Sequence, residues 1–296
     1  MSRLPRPRTS WIVAAALAAS CTAAPAAAFP EVMFTLSDRA PDKVQLRFDA
    51  EFGKNRNGNW TRDVLATELN GFSTSAFARG GPVHFTITRP AGQFACEGLA
   101  HDGHADGRCK FAADEGFRRT LAARGVGTPS EEESYAMAMS GVRLDVLDTL
   151  QRDGWDRPNV GELIALGIFD ATSEAIQDLA RAGYRGGKIG TLIALRVHRI
   201  TPEFISSFAR VGYRDLSLDM LFAFRIHKVT PEFIQAMAAA GYRDLKPQTL
   251  IQLRIFNITP EFARAVSAAG KPAFSADQLV KLKLAGIGTG DFRGAR

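Results

Sequence analysis

Four polar residues that could bind a metal ion lie close together, at His101, Asp102, His104 and Asp106. Imidazole nitrogens and carboxylate oxygens are common metal ligands, so this segment could form a small metal site. The same residues, with Gly103 among them, are also typical of a solvated hairpin turn. We favour the turn, and the metal site remains the alternative.

Other catalytic patterns are incomplete in this sequence. It contains no Gly-x-Ser-x-Gly nucleophile elbow and no His-Glu-x-x-His zinc motif. The segment Gly186-Gly187-Lys188 lacks the preceding strand and the full spacing of a phosphate-binding loop. We therefore expect no enzyme activity, no metal and no cofactor. A hydrolase would need an acid, a base and a nucleophile that we cannot assemble from these residues.

Two further histidines, His198 and His227, are separated by 29 residues, and Phe256 follows after another 29. A shared position that accepts both histidine and phenylalanine is typical of a half-buried aromatic site. This interpretation explains all three residues better than a pair of metal ligands does.

Basic residues recur with the same period, and they are the strongest binding candidates. The basic ladder consists of Arg196, Arg225, Arg254 and Lys283, and an outer basic pair, Arg199 and Lys228, follows three residues later. If the repeats stack, these side chains form a stripe that would bind an acidic partner, in agreement with the formal net charge of +6. The structural alternative is that each arginine interacts with its helix dipole and pairs with Asp215 or Asp244.

The common period arises because the chain is built from repeats. The motif Ile/Val-Thr-Pro-Glu-Phe begins at Ile200, Val229 and Ile258, a step of 29 residues each time. A glycine recurs at the same step, at Gly125, Gly154, Gly183, Gly212, Gly241 and Gly270. Self-similarity at a fixed period predicts a repeat architecture. Six units begin near Asp114, Arg143, Thr172, Thr201, Thr230 and Thr259.

Each unit is predicted to form two short helices. Threonine is a favourable N-cap, proline is tolerated at the first helical position, and glutamate there interacts well with the helix dipole. A glycine such as Gly212 then ends the first helix. The second helix has recurrent capping boxes, Asn159 with Glu162 and Ser275 with Gln278. Helices of about ten residues are marginal alone, so they must stack on their neighbours.

These repeats resemble a known family. The unit Thr-Pro-Glu-Phe-Ile, followed by Gly-Tyr-Arg-Asp-Leu and Leu-x-x-Leu/Phe-Arg-Ile, is similar to repeats in the extracytoplasmic C-terminal part of BlaR1-type membrane metallopeptidases and in related free-standing periplasmic proteins of unknown function. The segments 81–85 and 95–98 also resemble the region before those repeats. The resemblance implies a sensor-like or scaffold-like extracytoplasmic module without the peptidase.

Residues 30 to 113 show alternating rather than helical periodicity, which predicts a small antiparallel β domain. We expect five or six strands, near 32–36, 43–52, 58–64, 82–89, 92–100 and 105–111. The stretch 65–78 is predicted to be a loop with a short helical turn.

Asp102-Gly103 is a strong signal for a two-residue hairpin, because a type I′ turn needs positive φ at both positions. Folding the chain about this turn places Cys96 opposite Cys109. Opposed cysteines on antiparallel strands can lie within disulfide range, and export exposes them to an oxidising compartment. We predict a Cys96–Cys109 disulfide, with two free buried thiols as the alternative.

The first residues predict a secretory signal peptide. Three arginines precede the apolar, alanine-rich stretch 11–19, and small residues before position 29 favour cleavage after Ala28. The apolar stretch is too short for a permanent membrane span. Alternatively, Cys21 is the lipidated residue of a lipoprotein box, although alanine stands there in place of the usual leucine.

We therefore expect an α+β protein made of a signal peptide (1–28), an antiparallel β domain (29–113), an α-helical-hairpin repeat stack (114–290) and a tail (291–296). The expected function is a noncatalytic exported scaffold, periplasmic or secreted, whose repeat surface binds an envelope or membrane protein. The alternative is an envelope sensor of a small ligand or polymer, with the β domain as receiver. An apolar pocket within 30–113 would favour the sensor, and a continuous exposed stripe would favour the scaffold. Export disfavours nucleic acid as a partner.

Overall fold

The computed structural model describes residues 29–51, 57–269 and 274–292. Within these residues, a six-stranded antiparallel sheet is followed by twelve α-helices, which confirms the predicted α+β class. The predicted signal peptide, including Cys21, lies outside the described residues. None of the helices in the described ranges is long and apolar enough to cross a membrane.

The sheet consists of two three-stranded meanders that join through their outer strands. The strands are β1 (Val32–Ala40), β2 (Lys43–Glu51), β3 (Asn57–Leu65), β4 (Gly81–Arg89), β5 (Gly92–His101) and β6 (His104–Ala113). Their spatial order is β3-β2-β1-β6-β5-β4. A 3-10 turn (Ala66–Glu68) and the short helix α1 (Ser75–Arg79) connect the meanders, in agreement with the predicted loop and helical turn.

Alternating residues of each strand point to one face, and this face is the core of the β domain. The rings of Phe48 on β2 and Phe94 on β5 stack with centroids 5.0 Å apart, although β1 and β6 lie between these two strands. Because neighbouring strands are about 4.8 Å apart, a flat sheet would hold these rings at about three times that distance. The sheet is therefore strongly curled around its aromatic core.

The β5–β6 hairpin has the predicted register and the predicted disulfide. Asp102 and Gly103 both have positive φ, at 45° and 81°, as a type I′ turn requires. Cys96 and Cys109 are directly opposite each other and form a disulfide. The adjacent Gly107 is needed for close packing, since a Cβ atom there would lie 2.2 Å from the carbonyl oxygen of Glu97.

The twelve helices form the six predicted units, each with a first (A) and a second (B) helix. The A helices are α2 (Glu115–Ala123), α4 (Asp145–Arg152), α6 (Ser173–Arg181), α8 (Pro202–Ala209), α10 (Pro231–Ala239) and α12 (Pro260–Ala269). The B helices are α3 (Glu131–Ser140), α5 (Val160–Ile168), α7 (Ile189–Val197), α9 (Leu218–Ile226), α11 (Pro247–Ile255) and α13 (Ala276–Leu284). B helices pack beside B helices, as α11 does between α9 and α13.

The repeated Ile/Val-Thr-Pro-Glu-Phe motif ends one helix and starts the next. The amide of Ile200 donates to the carbonyl of Leu195 over 2.8 Å, which is the outer bond of a Schellman C-cap with a buried apolar residue. Thr201 Oγ1 then accepts from the Phe204 amide over 3.3 Å, and Pro202 opens α8. The motif is therefore a compact helix–helix connector.

Tyrosines link successive units along the opposite edge of the stack, where each A helix turns into the B helix of its unit. The hydroxyl of Tyr184 donates to the Leu216 carbonyl over 2.7 Å, and that of Tyr213 donates to the Leu245 carbonyl over 2.6 Å. Both tyrosines belong to the recurrent Gly-aromatic pair, whose glycines have positive φ at the ends of the A helices. The sequence repeat thus corresponds to a repeated hydrogen bond between units.

An aromatic cluster joins the β domain to the first unit. Tyr135 on α3 lies 5.7 Å from Phe94 and 5.5 Å from Phe111, measured between ring centroids. Phe29 packs on Phe111 and on Tyr135, at 5.3 Å from each. Burial, with a smaller contribution from the charge of Asp49, raises the pKa of Tyr135 to about 12. The sheet and the first helices therefore share one apolar core.

The predicted boundary between stack and tail falls inside a 3-10 turn, Thr289–Phe292. The ring of Phe292 lies 6.1 Å from that of Phe262 on α12. Phe292 therefore packs against the last unit.

Candidate functional site

The arginines of the basic ladder bridge neighbouring B helices. Arg196 donates from Nε to the Phe169 carbonyl over 3.1 Å and from Nη2 to the Asp170 carbonyl over 2.9 Å. Arg225 donates to the Arg199 carbonyl, and Arg254 donates to the His227 carbonyl over 3.3 Å. These carbonyls belong to residues just beyond the end of the preceding B helix, where they have no partner within the helix. Three ladder arginines thus cap the preceding unit.

Three members of the ladder also lie over a phenylalanine of the preceding A helix. The distances from the cationic atom to the ring centroid are 4.1 Å for Arg225 over Phe204, 5.0 Å for Arg254 over Phe233 and 5.3 Å for Lys283 over Phe262. These phenylalanines are those of the repeated motif, so its last residue and the ladder residue interact in each of these units. Among the described residues, no ion pair joins the ladder arginines to Asp215 or Asp244; carbonyls and rings are their partners.

Replacing Arg254 with methionine should lower the free energy of unfolding by about 2 kcal/mol, because a charged hydrogen-bond donor and a cation–ring contact are both lost. Methionine keeps the apolar stem, so packing changes little. Urea denaturation followed by circular dichroism measures the effect. Lys283→Met is the matched control, since Lys283 has the ring contact and should lose only about 0.5 kcal/mol. Equal losses in both variants would contradict the capping role.

The outer basic pair has a different environment. Arg199 and Lys228 are exposed, and they follow the C-caps of α7 and α9 with φ of 51° and 55°. In the described part of the chain, neither side chain has a hydrogen bond or an ion pair. The six basic residues singled out in the sequence therefore separate into a half-buried ladder and an exposed pair.

An apolar ladder, which the sequence pattern does not distinguish from the core, lies beside this pair. The last residue of each of five successive B helices is a large aliphatic side chain that is at least 46% exposed: Ile168, Val197, Ile226, Ile255 and Leu284. These positions differ by 29 residues, so they are equivalent in the repeat. The residue two positions earlier on α9, Phe224, is fully buried. The repeat thus preserves both a buried and an exposed apolar position.

A row of glutamates borders the edge of the stack where each B helix ends and the next A helix begins. Glu174, Glu203, Glu232 and Glu261 are exposed in the first turns of four A helices. A hydrogen bond with the Thr201 hydroxyl, followed in size by one with its own backbone amide, lowers the pKa of Glu203 below its usual value. A hydrogen bond with its own backbone amide, followed in size by one with the Thr230 hydroxyl, lowers the pKa of Glu232 in the same way. These carboxylates are ionised at neutral pH.

The other histidine candidates have local partners. His101 Nε2 lies 2.7 Å from Asp106 Oδ1, and His104 Nδ1 lies 3.0 Å from the Asp102 carbonyl oxygen. Both rings are exposed at the hairpin tip. No cluster of three or more histidine, cysteine, aspartate or glutamate side chains within the described ranges is placed to hold a metal ion. His198, His227 and Phe256 are all half-buried, which agrees with a shared aromatic position.

A cavity of about 590 Å³ lies between β3 and the first B helices. Trp60, Tyr135 and Ile168 line it, together with Arg62 and Asp170, whose closest charged atoms are 3.7 Å apart. Ile168 thus belongs both to the cavity and to the apolar ladder. The cavity takes only part of its wall from the β domain.

A second groove, of about 450 Å³, lies within the β domain. Polar and charged side chains, including His84, Glu97, Arg108 and Lys110, form much of its lining, and Arg108 Nε donates to Glu97 over 3.0 Å. It therefore differs from the apolar pocket that the sensor alternative requires.

Comparisons of the chain with protein-family models, with curated proteins and with solved structures found no match. The function is therefore inferred from the surface of the molecule.

Proposed function

We propose that this protein is a noncatalytic, exported interaction module that binds an envelope or membrane protein through the apolar ladder and the outer basic pair. The observation that carries the proposal is the apolar ladder. Five large aliphatic side chains remain exposed at one repeat position, beside Arg199 and Lys228. Contiguous exposed apolar surface on a folded protein commonly marks an interaction site.

The energetics of such a surface are those of a protein interface. Burying the ladder would remove apolar area from water, at about 25 cal/mol per Å² before the costs of association. The adjacent positive charges would add orientation and a faster association rate more than affinity. The basic ladder contributes indirectly, because its arginines fix the spacing of the B helices that present the aliphatic side chains.

The export part of the proposal has separate support. The N-terminal sequence has the pattern of a signal peptide, and the Cys96–Cys109 disulfide is compatible with an oxidising compartment. The resemblance to extracytoplasmic repeats near BlaR1-type peptidases is in line with a binding role without catalysis.

Site-specific photo-crosslinking in the producing cell tests the proposal. The photoreactive residue replaces Gln252, which is exposed on α11 near Ile255. We expect one dominant protein adduct, and we expect Ile226→Asp to remove it. Leu99→Asp is the matched control, because Leu99 on the sheet is 58% exposed, as is Ile226, yet lies outside the ladder. An adduct that survives Ile226→Asp, or is lost equally in both variants, would contradict the proposal.

The junction cavity favours one second candidate, the sensor of a small ligand. A photoreactive residue at Arg62 reports on it, since Arg62 lines the cavity. An adduct of small mass at this position, without a protein adduct at Gln252, would support the sensor. A protein adduct at Gln252 alone would exclude it in favour of the interaction module.

A further inference from the structure

One repeat position, at the C-cap of α3 and directly after the C-cap of every other B helix, adopts the left-handed conformation, and its residue type changes from unit to unit. These residues are Gly141, Asp170, Arg199, Lys228, Asn257 and Gly286, all with positive φ. Each donates its amide to the preceding helix, as Arg199 does to the Arg196 carbonyl over 3.0 Å. The backbone therefore requires this conformation in every unit.

Glycine, asparagine and aspartate adopt positive φ readily, whereas long side chains with a Cβ atom are strained there. Four of the six positions carry a favourable residue. The exceptions are Arg199 and Lys228, in two consecutive central units. Their side chains are exposed and have no hydrogen bond or ion pair among the described residues, so their charge interacts only with the dipole of the preceding helix. Uncharged residues at the equivalent positions of other units, such as Gly141 and Asn257, show that the fold does not require a positive charge there. Strain kept at an exposed position points to a role in binding.

We infer that Arg199 and Lys228 recognise acidic side chains on an amphipathic helix of a partner protein, and that this helix crosses the B helices along the apolar ladder. The inference rests on the proposed function. Val197 and Ile226 each lie two residues before one of the basic residues. Apolar and positive groups are therefore paired twice, one repeat apart.

The spacing of the B helices matches the spacing of residues on such a partner. Packed helices lie about 8–10 Å apart. An α-helix rises 1.5 Å per residue, so positions seven residues apart on one face are separated by about 10.5 Å. A partner helix with an apolar residue every seven positions can contact successive members of the ladder. Acidic residues flanking two of these positions would then meet Arg199 and Lys228.

The glutamate row favours a helix over an anionic membrane surface. Glu203 lies four residues after Arg199, and Glu232 lies four residues after Lys228. Positive and negative side chains therefore lie along the same edge of the stack, where the B helices end. A flat anionic bilayer that reached the whole ladder would meet these ionised carboxylates. A single helix, about 10 Å wide, can contact the basic pair without covering the glutamates.

Three synthetic helical peptides of about 21 residues, or three heptads, test the inference with the purified exported protein. They share one apolar face and carry glutamate, glutamine or lysine beside it. Fluorescence anisotropy measures binding. We expect the glutamate peptide to bind about fivefold more tightly than the glutamine peptide, since two exposed ion pairs are formed. The double variant Arg199→Gly/Lys228→Gly should lose this preference while its urea midpoint rises.

The matched control is Arg214→Gly/Arg243→Gly, which removes the same charge from exposed positions on the opposite edge of the stack, in the turns between A and B helices. It should keep the preference. Equal binding of the glutamate and glutamine peptides would overturn the inference and leave the proposed function intact. Binding to phosphatidylglycerol vesicles without binding to any peptide would assign the surface to membranes instead. No binding to peptides or vesicles would overturn the inference alone, because the crosslink from Gln252 tests the proposed function separately.

Discussion

Replacing Phe208 with alanine should lower the free energy of unfolding by about 3–5 kcal/mol. Phe208 lies on α8, is fully buried, and has ring centroids 4.9 Å from Phe204 and 5.0 Å from Phe224. Because Phe224 belongs to the B helix of the same unit, Phe208 holds the two helices together. The substitution loses the transfer free energy of a whole ring and leaves a cavity that the short helices cannot close.

Urea denaturation followed by circular dichroism at 222 nm measures this loss. The control is Ile226→Ala. It also truncates a large apolar side chain in the same unit, but at an exposed position of the apolar ladder. It should change the free energy of unfolding by less than about 0.5 kcal/mol. Similar losses in the two variants would mean that the assignment of buried and exposed faces is wrong.

Removing the disulfide with Cys96→Ala/Cys109→Ala should destabilise the protein by about 3 kcal/mol in the chain-entropy treatment of a loop of this length. The two cysteines are 13 residues apart and face the core of the curled sheet, where alanine fits without introducing a polar group. Since the bond closes the β5–β6 hairpin, the loss should arise from the β domain. The free energy of unfolding in urea, measured under oxidising conditions, gives the effect.

The unmodified protein in excess reductant provides the control for this variant. It should lose a similar free energy, whereas the variant should be insensitive to the reductant. If thiol alkylation shows a fully reduced protein with undiminished stability, the disulfide contributes little, and the backbone hydrogen bonds between β5 and β6 hold the hairpin together.

The sequence alone determined the features that depend on local rules. Alternation of apolar residues predicts each strand, since successive side chains point to opposite faces. Asp102-Gly103 sets the register that pairs Cys96 with Cys109, because a two-residue turn leaves no choice of partner. The Thr-Pro pairs locate the starts of α8, α10 and α12, since proline is compatible with the first helical position.

Only the tertiary structure decided which apolar residues are left uncovered. The helix α9 is apolar on most sides, so its pattern does not separate the buried Phe224 from the exposed Ile226. Stacking of neighbouring units covers one face and leaves the other. The apolar ladder is visible in the sequence as a periodic aliphatic residue, but periodicity alone would place it in the core.

The role of the basic residues was likewise decided by contacts between units. Arg254 and the His227 carbonyl that it caps are 27 residues apart, and no local rule predicts that pairing. The sequence places Arg196 and Arg199 in one basic group because both recur with the repeat. The fold separates them. Arg196 lies on the last turn of α7 and contacts the neighbouring unit, whereas Arg199, three residues later, lies beyond the helix end and is exposed to solvent. Local chemistry determined the repeat, and packing between units determined its surface.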